Sequence, residues 1–460
     1  MAHFDLIVVG TGVAGRTAAE QSAAAGLATA LVDCREFGGT CALRGCEPKK
    51  VLSAAAELPL RVLGQTGHGL TGGARLDWRE LVAFKRTFTD SLPEAFEAEF
   101  AGLGVATLHG IAHFTSTWAM EIAGERHTAE AFLLATGALP MPLGIEGEEL
   151  LVDSERFMEL ERLPERVAFI GGGFVSFELS GIAAAAGARA VIVHRSATPL
   201  KEFDPDLVAL LVAQYAEQGI EVRLDSPVVA VRHVRGGAGA STAAGTGAGP
   251  SRVFLVDLAD GSGIEADIVV HGAGRIPDLA ALKLAAAGVA FGPHGIEVDS
   301  GMRSVSNPRV WAAGDAAALG PPLTPVGVAQ ARVAVRNIVA LGSATFEPSA
   351  IPSAAFSQPP IASVGLSERQ ANERGLDVEV KLTDTSDWVS SQRVGLKRAG
   401  AKTIVDRRTG RILGAHIVGH NAEEVINLFA LAIAQRATAE DLRSLLWAYP
   451  TSSSEIVYLL

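Results

Sequence analysis

Two cysteines, Cys41 and Cys46, lie five positions apart in the segment GGTCALRGCEPKK. On a regular helix this offset would separate their Cα atoms by roughly 8 Å, which is too far for a disulfide. A bridge between them therefore requires a distorted turn, and Gly45 makes such a turn inexpensive. A helix start with Lys49 close by would also stabilise a thiolate and lower its pKa. The segment predicts a redox-active pair. The alternative, half of a metal site, lacks a second Cys/His pair with ligand spacing.

The chain begins with a pattern typical of a dinucleotide site. An apolar run over residues 4–9 predicts a strand, an alanine-rich stretch to about residue 25 predicts a helix, and a second apolar run ends at Asp33. Between the first strand and the helix stand Gly10, Gly12 and Gly15, whose missing side chains let a pyrophosphate approach the helix N-terminus. Asp33, 23 positions after Gly10, can accept hydrogen bonds from a ribose diol. The pattern predicts a site for an adenosine without a 2′-phosphate, as in FAD; a plain turn between buried elements is the alternative.

The same pattern recurs after the strand predicted over residues 167–170, at Gly171 and Gly173, with a serine in place of the third glycine. The residue 23 positions after Gly171 is His194 rather than an acid, and Arg195 and Lys201 follow it. Basic residues suit a 2′-phosphate, whereas a carboxylate favours a free 2′-hydroxyl. The second site is therefore predicted to bind NADPH, unless the two cations are ordinary surface charges. Two unlike dinucleotide sites in one chain indicate internal electron transfer.

Composition argues against several other classes of protein. The 460 residues suggest about three domains, and 39 basic against 51 acidic residues give a net charge of −12 without a basic stripe, which argues against nucleic-acid binding. No apolar stretch reaches the roughly 18–20 residues that a membrane span needs. The N-terminus lacks the basic leader and cleavage site of a signal peptide, so a cytoplasmic enzyme is expected. Three cysteines are too few for a disulfide scaffold, and Cys34 is predicted to be structural.

Together the motifs resemble those of the class I pyridine nucleotide–disulfide oxidoreductases, the family of glutathione reductase, dihydrolipoamide dehydrogenase and mercuric reductase. The matching segments span the chain and read GTGVAG, GGTCALRGCEPKK, LLATGALP, GGGFVSFE, GAGRIP, VWAAGD, LTPVGVAQAR and SVGLSE. The resemblance implies an α/β fold with two Rossmann-like dinucleotide-binding domains, for FAD and NADPH, and a C-terminal α+β interface domain that makes the protein a homodimer.

The resemblance also implies an order of domains along the chain. The FAD-binding domain would occupy residues 1–145 and 275–345, the NADPH-binding domain residues 146–274, and the dimerisation domain residues 346–460. Residues 236–251, nearly all Gly, Ala, Ser and Thr, are predicted to form a flexible loop within the NADPH-binding domain.

Individual residues receive roles from the same resemblance. Cys46 would lie against the flavin as the charge-transfer cysteine, and Cys41 would exchange with the substrate. Lys49 would stand beside the flavin ring, paired with Glu178. Phe174 takes the position of the tyrosine that covers the flavin in many members. The other cofactor-binding positions that the resemblance implies are Gly39, Thr40, Ala135, Thr136, Gly137, Gly274, Arg275, Asp315 and Thr324.

The C-terminal segment WAYPTSSSE departs from the family pattern. Disulfide-reducing members carry a histidine, contributed by the partner subunit, that protonates the leaving thiolate, and a glutamate that orients it. Here Tyr449 takes the histidine position and Ser454 the glutamate position. A tyrosine with a pKa near 10 mostly donates a hydrogen bond, and loss of a general acid typically costs about 10²–10⁴-fold in rate. Tyr449 is therefore expected to stabilise an anion, and its action as an acid remains an open hypothesis.

Several interpretations of the electron acceptor stay open. The first is a small or protein disulfide whose leaving group needs little protonation. The second is a non-disulfide acceptor such as a metal ion or quinone, since mercuric reductases also carry tyrosine at this position; mercury itself is disfavoured because no cysteine follows Cys46. The third is a redox-sensing NADPH-binding flavoprotein. Glutathione is not the expected substrate, because Glu20 and Phe96 replace the family's substrate-binding arginine and tyrosine.

Overall fold

The computed structural model describes residues 2–234 and 253–460, and the loop predicted over residues 236–251 lies outside them. The chain forms two compact units. The first contains residues up to 49, 83–141 and 274–348, and the second contains residues 50–82, 142–273 and 349–460. The boundaries predicted for the domains stay predictions.

The first unit is built on a seven-stranded sheet with a parallel core. Consecutive residues of a strand point to opposite faces, and Leu6, Ile7 and Val8 are all fully buried, so both faces of the central strand are covered. In spatial order the strands are Ala106–His109, Thr29–Asp33, His3–Val9, Glu125–Leu134, Ala119–Ile122 and Ala112–Ser116, with Val310–Ala312 also paired to Glu125–Leu134. The short pairs Ala138–Pro140 with Arg275–Pro277 and Phe291–Gly292 with Gly295–Ile296 complete its strands.

Helices connect and flank these strands. The helix Val13–Ala24 follows the first glycine-rich turn and packs against the helix Thr324–Val339. The other helices of this unit are Gly39–Arg44, Leu92–Gly102 and the short 3₁₀ helices Ala280–Leu282, Leu284–Ala287 and Gly314–Ala316. The helices Cys46–Gln65 and Trp78–Thr89 contain two of the points where the chain passes between units.

The described residues of the second unit form three sheets. A parallel sheet has the strand order Glu221–Arg223, Arg189–Val193, Arg166–Ile170 and Ile268–His271. An antiparallel sheet of three strands contains Val228–Val234, Val253–Leu258 and Gly263–Ala266. A five-stranded antiparallel sheet has the order Ser353–Ala355, Ile361–Gly365, Ile412–Val418, Gly400–Asp406 and Val378–Asp384.

In the second unit, one helix follows the second glycine-rich turn and another covers the five-stranded sheet. Phe174–Ala185 follows the second glycine-rich turn, and Ala422–Ala434 packs on the strands Ile412–Val418 and Ile361–Gly365 through the fully buried Phe429. The remaining helices are Ser154–Met158, Pro205–Glu217, Glu368–Glu373, Val389–Gln392, Ala439–Arg443, Ile456–Leu459 and the 3₁₀ helices Glu148–Leu150 and Ser452–Glu455.

The α/β fold class predicted from the sequence is confirmed. Both predicted strand–turn–helix–strand units are present, each beginning and ending within about two residues of its predicted position. In the part of the chain that the structure describes, no helix combines the length and the apolar character that crossing a membrane demands.

Candidate redox site and nucleotide-binding turns

The two cysteines of the predicted redox pair lie on either side of a break between two helices. The helix Gly39–Arg44 ends at Gly45, whose φ of −138° and ψ of −107° are not helical. Cys46 then begins the helix Cys46–Gln65. A side chain at Gly45 would approach the carbonyl oxygen of Thr40 to 2.9 Å. The distorted turn that the five-residue spacing requires is therefore present, and glycine is the residue that allows it.

One hydroxyl contacts both sulfurs. Thr324 Oγ1 donates to Cys41 Sγ at 3.2 Å and lies 3.8 Å from Cys46 Sγ. The two sulfurs are not joined by a disulfide in this structure. The pKa of the Cys41 thiol is raised, first by its hydrogen bond with the Cys46 sulfur and then by burial, while the Thr324 hydroxyl acts in the opposite direction. The lowered thiol pKa expected from the sequence is thus not found for Cys41, because a second sulfur shares its proton.

The first glycine-rich turn is held by the acid at the end of the following strand. Asp33 Oδ2 accepts hydrogen bonds from the backbone amide of Thr11 at 2.8 Å and from its hydroxyl at 2.6 Å. A side chain at Gly15 would come 1.8 Å from the carbonyl oxygen of Gly10, so only glycine fits there. A side chain at Gly12 would meet no atom within 4 Å. The open space in front of this helix N-terminus fits the pyrophosphate of FAD.

The other predicted FAD-binding residues of this unit surround the same turn. An ideal Cβ on Gly10 would lie 2.2 Å from the carbonyl oxygen of Ala135, and one on Gly39 would lie 2.3 Å from Gly12 Cα. The Thr136 hydroxyl donates to the carbonyl of Asp278 at 2.6 Å. The guanidinium of Arg275 donates to the carbonyl oxygen of Ala138. The remaining predicted positions of this unit are Thr40, Gly137 and Gly274.

Asp315 lies at the edge of this site, in the short helix Gly314–Ala316. Burial raises the pKa of its carboxyl group, and the positive charge of Arg275 lowers it. Gln330 Oε1 accepts a hydrogen bond from the amide of Gly314 at 2.8 Å and so fixes the segment that carries Asp315. A partly buried acid held in this way can accept a hydrogen bond from a ligand hydroxyl, which fits the predicted contact with the ribityl chain.

The second glycine-rich turn uses a histidine where the first uses an acid. His194 Nδ1 accepts a hydrogen bond from the backbone amide of Gly172 at 3.0 Å. Because Nδ1 is the acceptor, the proton of the neutral ring is on Nε2, which lies 2.9 Å from Ser196 Oγ and 3.1 Å from the carbonyl oxygen of Thr198. Burial lowers the pKa of His194, as do the charges of Lys201 and Arg195. The neutral imidazole therefore holds this turn.

The cations that follow this histidine remain exposed. Arg195 and Lys201 lie on the surface next to His194, with no carboxylate at the position that Asp33 fills in the first turn. Ser176, which replaces the third glycine, is fully buried, and it is accommodated because Gly272 opposite has no side chain: a Cβ there would lie 2.0 Å from Ser176 Oγ. The turn fits a dinucleotide carrying an additional phosphate.

Further predicted residues lie elsewhere in the second unit. Phe174 begins its helix and is 48% exposed, whereas Glu178, one turn later, is 2% exposed and accepts the amide of Phe356 at 2.7 Å through Oε1. Tyr449 is 83% exposed. Ser454 is engaged with Thr451 in a capping box and also donates to its carbonyl oxygen at 2.7 Å, so its hydroxyl is committed to this turn. The predicted pairing of Lys49 with Glu178 joins residues of different units and stays a prediction.

Sequence reasoning missed three residues that lie in or beside the predicted sites. The amide contact of His194, the glutamine Gln330 and the arginine Arg16 were not among the predicted site residues. For His194 the signal was present, since it occupies the position of the acid. Gln330 and Arg16 carry no motif that distinguishes them from ordinary helix residues. Among the described residues, no group of three or more His, Cys, Asp or Glu side chains is arranged to hold a metal ion.

Family models match most of the chain. The model described as pyridine nucleotide-disulphide oxidoreductase matches residues 4–336, and the model of the dimerisation domain of the same family matches residues 351–460. Together the two matches cover the elements that carry the cysteine pair, both glycine-rich turns and the C-terminal segment.

Characterised relatives align over nearly the whole length. The glutathione reductase of Burkholderia cepacia is 32% identical over 99% of this chain and 98% of its own. The dihydrolipoyl dehydrogenase of Thermus scotoductus is 31% identical over 99% of this chain and 96% of its own. The mercuric reductase of Lysinibacillus sphaericus is 29% identical over 98% of this chain and 80% of its own.

Solved structures share the fold. The HOCl-induced flavoprotein disulfide reductase RclA from Escherichia coli superposes with a TM-score of 0.84 at 23% identity, covering 98% of both chains. Its Cu(II) complex superposes with a TM-score of 0.85 over the same share of each chain.

Proposed function

Because the chain belongs to the pyridine nucleotide-disulphide oxidoreductase family, we propose that it carries electrons from NADPH through Cys41 and Cys46 to a small disulfide or a thiol-linked acceptor. The family uses FAD and a pyridine nucleotide, so the chain is an FAD-dependent oxidoreductase of this type. The observation that carries the proposal is the contact of both sulfurs with the single hydroxyl of Thr324. Two thiols held side by side can form and break a disulfide.

The reaction balances in two halves. In the first, NADPH and one proton reduce the Cys41–Cys46 disulfide to two thiols and leave NADP⁺; bound FAD supplies the hydride acceptor that links the nucleotide to the sulfurs. In the second, the Cys41 sulfur attacks the acceptor disulfide and expels one thiol, and the Cys46 sulfur then displaces the other and restores the internal bridge. Two electrons enter and two leave in each cycle.

The chain's own residues prepare the sulfurs for this exchange. The Thr324 hydroxyl donates to Cys41 Sγ and so stabilises negative charge on that sulfur. The hydrogen bond with the Cys46 sulfur and burial raise the pKa of Cys41, so this thiol keeps its proton while the pair is reduced and undisturbed. The break at Gly45 brings Cys46 to the start of its helix, where the helix dipole favours a thiolate. We assign the sulfur that faces the flavin to Cys46 and the exchanging sulfur to Cys41.

NADPH is the proposed donor because of the charges beside the second turn. A neutral His194 holds Gly172 at the position that Asp33 fills in the first turn, and Arg195 and Lys201 supply positive charge. A 2′-phosphate carries up to two negative charges and pairs well with such a surface. NADH lacks that phosphate, so these two cations add nothing to its binding free energy.

The dimerisation domain over residues 351–460 supports a homodimer. We propose that Tyr449 of one subunit serves the acceptor site of the other, where its hydroxyl stabilises the departing sulfur. Its exposure of 83% in the single chain is consistent with a residue that finds its contacts in an assembly. The cytoplasm, where NADPH is supplied, is the compartment that this proposal assumes.

A second candidate function is reduction of a non-disulfide acceptor such as a metal ion or a quinone. The observation that favours it is the missing general acid: Tyr449 stands at the histidine position, and the Ser454 hydroxyl is committed to Thr451. The mercuric reductase relatives and the Cu(II) complex of the fold neighbour RclA make metal ions worth including as acceptors.

The test is an acceptor panel run on the FAD-loaded enzyme with NADPH. Aromatic and aliphatic disulfides, a quinone and Cu(II) are compared for wild type, Cys41→Ser and Cys34→Ser. Cys34 is the matched control, since it is the third cysteine and is exposed. We expect disulfide reduction to vanish in Cys41→Ser and to persist in Cys34→Ser. Equal disulfide reduction by Cys41→Ser and wild type would refute the proposal, and turnover only with the quinone or Cu(II) would establish the second candidate.

A further inference from the structure

Arg16 is an unexplained cation at the start of the first nucleotide-binding helix. It follows Gly15 directly in the helix Val13–Ala24. Its guanidinium carbon lies 3.7 Å from the centroid of the Phe96 ring, a cation–π contact. Its Nε is buried and has no hydrogen-bond partner among the described residues. Because the residue as a whole is only partly buried, an anion can reach the rest of the guanidinium and stabilise its charge.

This arginine lies close to the exchanging sulfur. The helix Val13–Ala24 packs against the helix Gly39–Arg44, which contains Cys41. The backbones meet at Gly39, where a Cβ would lie only 2.3 Å from Gly12 Cα. The Cys41 sulfur is among the charges that act on the Arg16 guanidinium. The helix that carries Arg16 therefore packs on the helix that carries the exchanging sulfur, and the charges of the two groups interact.

Two acids moderate the charge of Arg16 without pairing with it. Burial lowers the pKa of the guanidinium, and the charges of Glu47 and Glu99 raise it. Arginine nevertheless stays protonated at physiological pH. Among the described residues, the Nε of Arg16 makes no hydrogen bond to either carboxylate.

Arg16 also changes what the helix face presents to an acceptor. Arg16 and Glu20 are four residues apart and share one face of the helix, with Arg16 one turn nearer its start. Glu20 is exposed, whereas Arg16 is partly buried against Phe96. A charge in a partly buried site acts more strongly than one in open solvent, because water screens it less. Of these two charges, that of Arg16 is therefore the less screened.

We propose that Arg16, stacked on Phe96, is a specificity-determining residue that selects molecules carrying an anionic group next to the atom attacked by Cys41. This inference rests on the proposed function in assigning the exchanging sulfur to Cys41. It adds the class of acceptor: a disulfide that bears a carboxylate or a similar anion within reach of the guanidinium. The anion would pair with the accessible part of the guanidinium.

The test uses alkylation of the reduced, FAD-loaded enzyme, so that it does not depend on turnover. Iodoacetate and iodoacetamide both react with a thiolate by displacing iodide, and they differ in one negative charge. The rate of modification of Cys41 by each reagent is followed by peptide mass spectrometry for wild type, Arg16→Gln and Arg16→Lys. Arg126→Gln, which removes an exposed arginine that stacks on Trp118 in the same unit, is the matched control.

We expect Arg16→Gln to lower the ratio of iodoacetate to iodoacetamide rates about tenfold, Arg16→Lys to lower it less, and Arg126→Gln to change it by less than about twofold. An equal loss of both rates in Arg16→Gln would mean that Arg16 acts on the thiolate or on folding and would overturn the proposal. An unchanged ratio would overturn it as well.

Turnover supplies the second arm. Two aromatic disulfides are compared, the anionic dithiobis-nitrobenzoate and the uncharged dithiodipyridine. Relative to wild type, kcat/KM of Arg16→Gln should fall for the anionic disulfide and stay unchanged for the uncharged one. If wild type reduced neither disulfide while the alkylation ratio still depended on Arg16, the proposed function would fail and the anion preference would stand.

Discussion

The imidazole of His194 accepts a hydrogen bond from the backbone amide of Gly172 across 3.0 Å. In the first turn Asp33 does the same for the amide of Thr11 across 2.8 Å. Both acceptors lie 23 positions after the first glycine of their turn and bind the residue that follows it. The two nucleotide sites thus share one construction and differ in the charge of the acceptor.

Replacing His194 tests whether that difference sets the choice of donor. His194→Asp restores a carboxylate that can hold the Gly172 amide but repels a 2′-phosphate. We expect kcat/KM for NADPH to fall about tenfold or more, while kcat/KM for NADH stays the same or rises. His194→Asn keeps a neutral acceptor near the position of Nδ1 and should leave the preference for NADPH intact. Equal losses for both nucleotides in His194→Asp would contradict this account.

The same histidine predicts a dependence of stability on pH. Burial, Lys201 and Arg195 lower the pKa of His194, while its contact with Thr198 and the charge of Asp225 raise it, with a net lowering. The folded state therefore binds fewer protons here than the unfolded chain, and stability present above about pH 6.5 is lost as the pH falls below that value. We expect the unfolding temperature of wild type to fall more steeply between about pH 6.5 and 5 than that of His194→Asn. Thermal unfolding at a series of pH values measures this, and parallel curves for the two proteins would argue that His194 does not titrate in this way.

A buried lysine in the second unit predicts a large effect on stability. Lys402 is 3% exposed and pairs with Asp204, which is 1% exposed, at 2.9 Å and with Asp206 at 2.6 Å. Asp204 also caps the helix Pro205–Glu217. Lys402→Met would leave the Asp204 carboxylate buried without its cation, and we expect the free energy of unfolding to fall by about 3–5 kcal/mol.

Urea unfolding with Lys397→Met as the control separates this effect from simple loss of charge. Lys397 also pairs with an acid, Glu217, at 2.8 Å, but its side chain is 70% exposed. Its replacement should cost less than about 1 kcal/mol. Similar losses in the two variants would show that burial of the Lys402 pair contributes little.

Because Tyr449 replaces a general acid, turnover is predicted to depend on how strongly the leaving thiolate needs a proton. If the missing acid limits turnover, Tyr449→His should raise kcat for aliphatic disulfides, whose thiols need a proton, by up to about tenfold. Aromatic disulfides release stable thiolates and should gain little. Tyr449→Phe, which removes only the hydroxyl, should raise neither rate. If kcat of Tyr449→His for aliphatic disulfides were no higher than that of wild type, the missing general acid would not be what limits turnover.

The sequence was most informative where the chain obeys strict backbone constraints. The glycines at 10, 15 and 171 are dictated by close contacts, and the strand–turn–helix units around them could be predicted to within about two residues. The helix break at Gly45 followed from the reach of a disulfide. These features depend on neighbours in sequence and on fixed geometry.

Features that depend on distant side chains could not be predicted. Thr324 stands 283 residues from Cys41; the family resemblance implied that it binds the flavin, but it did not indicate that its hydroxyl contacts both sulfurs. The raised pKa of Cys41 arises from the shared proton and from burial, which a helix-start argument does not contain. Arg16 gains its significance only from the ring of Phe96 and from the helix that carries Cys41.

The most direct measurement of the central claim counts thiols before and after NADPH. The oxidised, FAD-loaded enzyme is treated anaerobically with one equivalent of NADPH, the free thiols are alkylated, and the peptides are identified by mass spectrometry. Both Cys41 and Cys46 should be unreactive before NADPH and alkylated after it, while Cys34 is alkylated equally in both samples. If NADPH bleached the flavin while Cys41 and Cys46 gave the same alkylation before and after, electrons would not reach this pair and the account would be wrong.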